Sequence, residues 1–150
     1  MSPLEIALPD QAATEHLAER TAALLHPADV VLLAGALGAG KSTFARALLR
    51  CLADDPALEV PSPTFTLQQT YDTRLGPVHH FDLWRLADPS ALAELGWGDS
   101  LGDLVLVEWP DRLGPHPPDG ALSLCFTITG ADSRTVTITG WPERRMEQLR

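Results

Sequence analysis

The sequence predicts an α/β fold, a single domain with a mixed central sheet flanked by helices, and three observations carry that prediction. Residues 30–34 read VVLLA, a continuous apolar run of the kind a strand buried on both faces requires. A glycine-rich loop follows at once and leads into a segment with apolar residues at helical spacing. Residues 104–107 read LVLV, a second buried strand, while the last third of the chain alternates apolar and polar residues as a hairpin does.

The elements follow in order. Residues 4–8 alternate around Glu5 and predict a short strand. Pro9 and Asp10 open a helix in which Ala13, Leu17, Thr21, Leu24 and Leu25 share a face. It ends at His26-Pro27, because the residue before a proline avoids the helical region. A strand over 30–34 comes next. The helix after the glycine loop begins at Lys41 and buries Phe44, Ala45, Leu48, Leu49 and Leu52. Pro61-Ser62-Pro63-Thr64 breaks the pattern. Residues 65–71 and 78–83 read as strands around a turn at 72–77. Asp88 caps a helix that starts with Pro89, runs to about Leu95 and stops at Gly96 and Gly98. The strand at 104–107 should be a parallel neighbour, or nearly so, of the strand at 30–34. Residues 114–120 are rich in Pro and Gly and read as a surface connection. Residues 122–129 and 135–139 form the hairpin, and 142–149 a short charged helix.

A length of 150 residues fits one domain, and a 45% hydrophobic content can fill its core. With four Phe, four Trp and one Tyr, that core should be mostly aliphatic. The net charge of −9 argues against a broad DNA or RNA footprint, which needs clustered Lys and Arg. Cys51 and Cys125 lie in apolar stretches and read as buried free thiols. No segment resembles a signal peptide, and no apolar run approaches the ~20 residues of a membrane helix. The chain reads as cytoplasmic, with no membrane.

Residues 35–42 carry the chemistry: Gly35-Ala36-Leu37-Gly38-Ala39-Gly40-Lys41-Ser42 fits G-x-x-x-x-G-K-[ST] in full. Glycines let the backbone wrap phosphates without Cβ clashes, so that N–H groups point inward. The helix from Lys41 adds free N–H groups and the positive end of its dipole. Lys41 should reach the β- and γ-phosphates, and the Ser42 hydroxyl should bind magnesium. Such a loop needs a second acidic group at the end of a neighbouring strand. Glu108, which follows the apolar run at 104–107, is that candidate; the other reading is an exposed strand-end glutamate. Asp82 also ends an apolar stretch. It would orient the attacking water or a magnesium-bound water, or else pair with Arg85. His79 and His80 have no partner at metal-ligand spacing and read as packing residues. Ser62 and Thr64 would place a hydroxyl near the γ-phosphate, or else form only a tight bend.

Taken together, LGAGKST at 37–43, SPTFTL at 62–67, HFDLWRLADP at 80–89 and LVEWP at 106–110 resemble the TsaE family, also called YjeE. These are small bacterial P-loop ATPases of threonylcarbamoyladenosine tRNA modification, and the resemblance covers nearly the whole chain. It implies the P-loop NTPase fold. It further implies that Gly35, Leu37, Gly38, Ala39, Gly40, Lys41, Ser42 and Thr43 wrap the phosphates of ATP. Ser42 and Glu108 would hold Mg2+. Thr64 would sense the γ-phosphate, and Asp82 would serve hydrolysis. Trp109 and Arg134 would lie at the nucleotide, with Gln11 and Asp111 near the base and ribose. TsaB and TsaD are the implied partners, with tRNA met only through their complex. Hydrolysis would be slow alone and would reset the assembly between rounds of transfer to the adenosine next to the anticodon. The chain departs from the family pattern in having Ala36 for a usual Asp, Ser42 for a usual Thr and Trp84 for a common Tyr.

Rival readings are a GTPase, a small-molecule kinase and a nucleotide-gated binding module with little turnover. A GTPase would carry an Asn-Lys-x-Asp motif, which is absent, and Asp99-Ser100-Leu101-Gly102 follows no buried strand. A kinase would cluster arginines in a lid, whereas Arg85, Arg112 and Arg134 are scattered.

Overall fold

A computed structural model describes residues 2–63, 66–114 and 117–150. Its centre is one seven-stranded sheet in the order β1-β7-β6-β2-β5-β4-β3. The strands are β1 (Leu4–Leu8), β2 (Val30–Gly35), β3 (Gln68–Thr73), β4 (Gly76–Asp82), β5 (Leu104–Glu108), β6 (Leu122–Ile128) and β7 (Arg134–Thr139). The inner four, β6-β2-β5-β4, run parallel, and the remaining pairs are antiparallel. The sheet is therefore mixed, as the sequence predicts, and β2 and β5 are direct parallel neighbours.

Two apolar layers flank the sheet. Helices α1 (Gln11–Leu24) and α2 (Lys41–Ala53) cover one face. There Leu17, Phe44, Leu48 and Leu52 pack on Val31, Leu33, Leu104 and Leu106. Asp10 caps α1, its carboxylate accepting from the Ala13 N–H at 2.9 Å. On the other face Val30, Leu32, Phe81, Leu83, Val105 and Val107 pack under the segment Pro89–Leu95. The alternation of β2, β4 and β5 between these two layers is the period of two that a strand imposes. Runs such as VVLLA and LVLV are apolar throughout because both faces are covered.

Several expectations need correction. Residues 66 and 67 do not extend β3, which begins at Gln68. Leu67 has φ +66°, a left-handed conformation that a regular strand does not hold. The β3–β4 connection is tighter than expected: both strands run into it, and only Arg74 and Leu75 lie between them. Pro89–Leu95 is capped by Asp88 but winds as a 3₁₀ helix. Gly96 ends it, whereas Gly98 lies inside a short α3 (Trp97–Ser100). A further 3₁₀ turn, Pro110–Leu113, had no sequence signal beyond its proline. The terminal helix α4 spans Glu143–Glu147. Cys51 is half-buried and Cys125 exposed, both as free thiols, so the expectation that both are buried fails. Cys125 falls on the opposite side of β6 from Leu124 and Phe126, whose side chains enter the core. Thr64 and Phe65 lie outside the described residues. No helix among the described residues is long and apolar enough to cross a membrane.

Gly140, just after β7, has φ +103°, and a Cβ there would stand 1.9 Å from the Ala121 carbonyl oxygen. Gly140→Ala combines backbone strain with a clash against main chain, and should destabilise by about 2–4 kcal/mol. Thermal unfolding should then fall by roughly 5–15 °C. A shift under 2 °C would show that this corner yields.

Candidate functional site

The carboxyl ends of β2, β4 and β5 meet the N-terminus of α2 at one edge of the sheet. Ligands of open α/β sheets bind at such an edge. Here it carries a cleft of about 590 Å3, a volume suited to a small-molecule ligand.

The glycine loop forms one wall, and its shape depends on two of its glycines. Gly35 has φ +135°, and a Cβ on it would meet the Phe126 carbonyl oxygen at 2.5 Å. Gly40 has φ +113° and caps α2 with no side-chain bond. The first N–H groups of this 13-residue helix are therefore left for another acceptor. Phe126 supports the loop from below and packs against Phe44 with ring centroids 5.7 Å apart.

Lys41 is almost fully buried, at 5% exposure. Its ammonium donates to the Gly35 carbonyl and stands 3.3 Å from the centroid of the Trp109 ring. Burial holds its pKa below the ordinary lysine value. The negative charges of Glu108, Asp82 and Asp111 act in the opposite direction, as does Cys125. Trp109 reaches over the lysine because its backbone turns left-handed, at φ +60°, directly before Pro110. It packs against Trp84 with centroids 4.3 Å apart.

Next to the lysine, the Ser42 hydroxyl donates to Glu108 Oε1 at 3.3 Å. Glu108 is 2% exposed, so it is not the exposed strand-end residue of the alternative reading. The parallel register sets Asp82 of β4 opposite Glu108 of β5. Asp82 is 4% exposed and accepts from the Ser62 hydroxyl at 3.1 Å and from the Trp84 N–H at 3.1 Å. The Ser62 contact ties the proline-rich segment to the site. Two buried carboxylates, a hydroxyl and an ammonium thus converge at the end of a helix dipole. Oxygen donors of this kind suit a hard divalent cation, and the N–H groups with Lys41 suit phosphate. These residues therefore fit a magnesium–nucleotide pair.

Opposite stands the β6–β7 turn. Arg134 donates to the Gly38 carbonyl at 3.0 Å, and to the carbonyls of Gly130 and Ser133 at 3.1 and 2.8 Å. Gln11 lines the cleft beside Asp10 and Thr14 at the start of α1.

Of the residues singled out from sequence, Gln11, Leu37, Gly38, Gly40, Lys41, Ser42, Thr43, Asp82, Glu108, Trp109 and Arg134 line this cleft. Gly35 and Ala39 of the loop are not in the lining, Ala39 being fully buried, and Asp111 stays outside the lining on an exposed turn. Thr64 is among the residues not described. Sequence reasoning missed Asp10, Thr14, Ala131 and Asp132, which line the cleft without a motif of their own. It read His80 as a packing residue and did not foresee its polar partner. His80 is buried at 1% exposure, with Nε2 2.8 Å from Glu108 Oε2. Its spacing from Asp82, two residues along one strand, was the signal that both face the same side. His79 faces the other way and pairs with Asp103 at 2.9 Å.

The family model described as "Threonylcarbamoyl adenosine biosynthesis protein TsaE" matches residues 8–144. A Rickettsia felis protein named tRNA threonylcarbamoyladenosine biosynthesis protein TsaE is 42% identical over 99 residues, 65% of this chain and 57% of that protein. The match therefore spans less than two thirds of that relative's length. A Rickettsia bellii protein of the same name is 35% identical over 127 residues, 84% of this chain and 88% of that one. The crystal structure of Bacillus subtilis YdiB superposes with a TM-score of 0.76 at 30% identity, covering 99% of this chain and 94% of the other. With a family model that takes in residues 8–144 and a relative aligned over most of both lengths, the chain belongs to the TsaE family.

Proposed function

We propose that this protein binds and hydrolyses ATP as an accessory in the threonylcarbamoyladenosine modification of tRNA, acting with TsaB and TsaD. One observation supports the reading most: the Ser42 hydroxyl and the Glu108 carboxylate meet at 3.3 Å, at the mouth of a phosphate-binding loop. The sequence separates them by 66 residues, and two parallel strands bring them together.

In this reading the loop glycines and the N–H groups of α2 receive the phosphates. Lys41 leaves the Gly35 carbonyl to meet their charge. Ser42 and Glu108 would hold magnesium, which supplies charge neutralisation of the phosphate oxygens when bound. Asp82, buried and held by hydrogen bonds from the Ser62 hydroxyl and the Trp84 N–H, orients a water for attack. The tryptophans at 84 and 109 shield this side from solvent. Arg134, held on the loop backbone, adds positive charge at the opposite wall. Thr64 would sense the γ-phosphate. Gln11 and Asp111 would serve the base and ribose.

The relatives are named for threonylcarbamoyladenosine biosynthesis, which supports this role in tRNA modification. The net charge of −9 is compatible with it if tRNA contact falls to the partners. Phosphate release should be slow for the isolated protein and should rise at least about 10-fold when TsaB and TsaD are added, a change of about 1.4 kcal/mol in barrier. A fast rate that ignores both partners would overturn the accessory role. Nucleotide binding with intact complex assembly but no turnover would favour the gated binding module.

A further inference from the structure

His80 has an environment that packing alone does not account for. It lies in β4 between Val78 and Asp82 on the sheet face covered by α2, and is 1% exposed. Its Nε2 meets Glu108 Oε2 at 2.8 Å. A carboxylate only accepts, so the ring nitrogen donates. The other ring nitrogen, Nδ1, has no hydrogen-bond partner among the described residues. Burying an unpaired polar atom is unfavourable, so an apolar side chain would fill this place better if filling were its task. The polar contact the imidazole does make is with Glu108.

Glu108 has two oxygens with different partners. Oε1 takes the Ser42 hydroxyl, and Oε2 takes His80. A hydroxyl that coordinates a cation does so through an oxygen lone pair, so Ser42 can still donate to Oε1. The 3.3 Å Ser42 contact is long, whereas the His80 contact at 2.8 Å holds the other oxygen. The shorter bond from a buried ring is the one that aims the Glu108 carboxylate.

We infer that His80 is a positioning residue, which fixes the Glu108 carboxylate beside Ser42 and pre-forms the magnesium half of the nucleotide site. This rests on the proposed magnesium role of Ser42 and Glu108. Partners behind metal-binding groups commonly set metal affinity, and their loss weakens it by about 10- to 100-fold.

The test is titration calorimetry with a non-hydrolysable ATP analogue, in magnesium and in EDTA, beside thermal unfolding. The quantity read is the ratio of the two affinities. His80→Leu and His80→Asn should lower that ratio about 10-fold or more while leaving the EDTA affinity unchanged. His80→Gln carries a donor to about the same reach as Nε2 and should restore it; Asn is too short. A merely structural histidine would lower the unfolding temperature and both affinities together, and an unchanged ratio in Leu and Asn overturns the inference. Should the Leu variant fail to fold, equal ratios for Gln and Asn overturn it as well. If the wild-type protein binds no more tightly in magnesium than in EDTA, the magnesium reading itself fails, and the wild-type titration reveals this before any variant is made.

Discussion

Lys41→Ala should reduce ATP affinity by about 100-fold or more in titration calorimetry. The estimate follows from the charge-assisted hydrogen bonds the ammonium would make to two phosphates. Each is worth about 1.5–3 kcal/mol, and each 1.4 kcal/mol is a factor of ten. Fold stability should change little. Burial already disfavours the charged form of Lys41, and this offsets what it gains from the Gly35 carbonyl and the Trp109 ring. Those two contacts also make the lysine a reporter. Moving it onto phosphate removes a cation from the indole face, so Trp109 fluorescence should change on nucleotide binding and stay unchanged in the alanine variant. Wild-type affinity in Lys41→Ala would remove the basis of the whole functional reading.

Glu108→Gln should give the second large effect, and of a different kind. The substitution keeps the side-chain shape but removes the charge, in a place where Glu108 is 2% exposed. Magnesium-dependent turnover should fall about 100-fold, while nucleotide affinity in EDTA should stay within about threefold of wild type, because Lys41 and the loop are untouched. Glu108→Ala is the harsher change. It leaves the His80 imidazole buried without its acceptor and takes away the partner of Ser42. An added stability loss of about 1–3 kcal/mol should appear in denaturant unfolding for Ala and be smaller for Gln. Equal losses of turnover and of EDTA affinity in the Gln variant would contradict a role confined to the cation.

The two predictions draw on different amounts of sequence information. Lys41 sits inside a contiguous motif whose meaning is local: glycines for backbone room, a lysine for charge, a helix start for N–H groups. Glu108 was legible as a carboxylate after an apolar run and through the resemblance carried by LVEWP. Burial removes the exposed strand-end reading, and the structure adds the 3.3 Å contact to Ser42. The His80 contact to Glu108 was not foreseen, because the two lie 28 residues apart on different strands. The late start of β3 was hidden for a local reason, the left-handed Leu67, which composition does not announce. The hairpin at β6 and β7 was read well, but not that its Arg134 would hold the Gly38 carbonyl across 96 residues.

The sequence by itself determined the α/β class, the glycine-rich loop that leads into a helix, and the family, because each rests on local pattern: apolar runs, glycine spacing, and short motifs in a fixed order. Tertiary structure alone decided which carboxylates face the loop and what holds them there. β4 and β5 are neighbours in chain order as well as in the sheet, but β2 lies beside β5 and β6 out of chain order, and that crossing-over sets Glu108 beside the loop that follows β2. Strand registry then puts Asp82 opposite Glu108 and turns His80 toward the same face. Such pairings are set by the burial of whole faces, a property of the sheet and its two covering layers that no single segment of sequence contains.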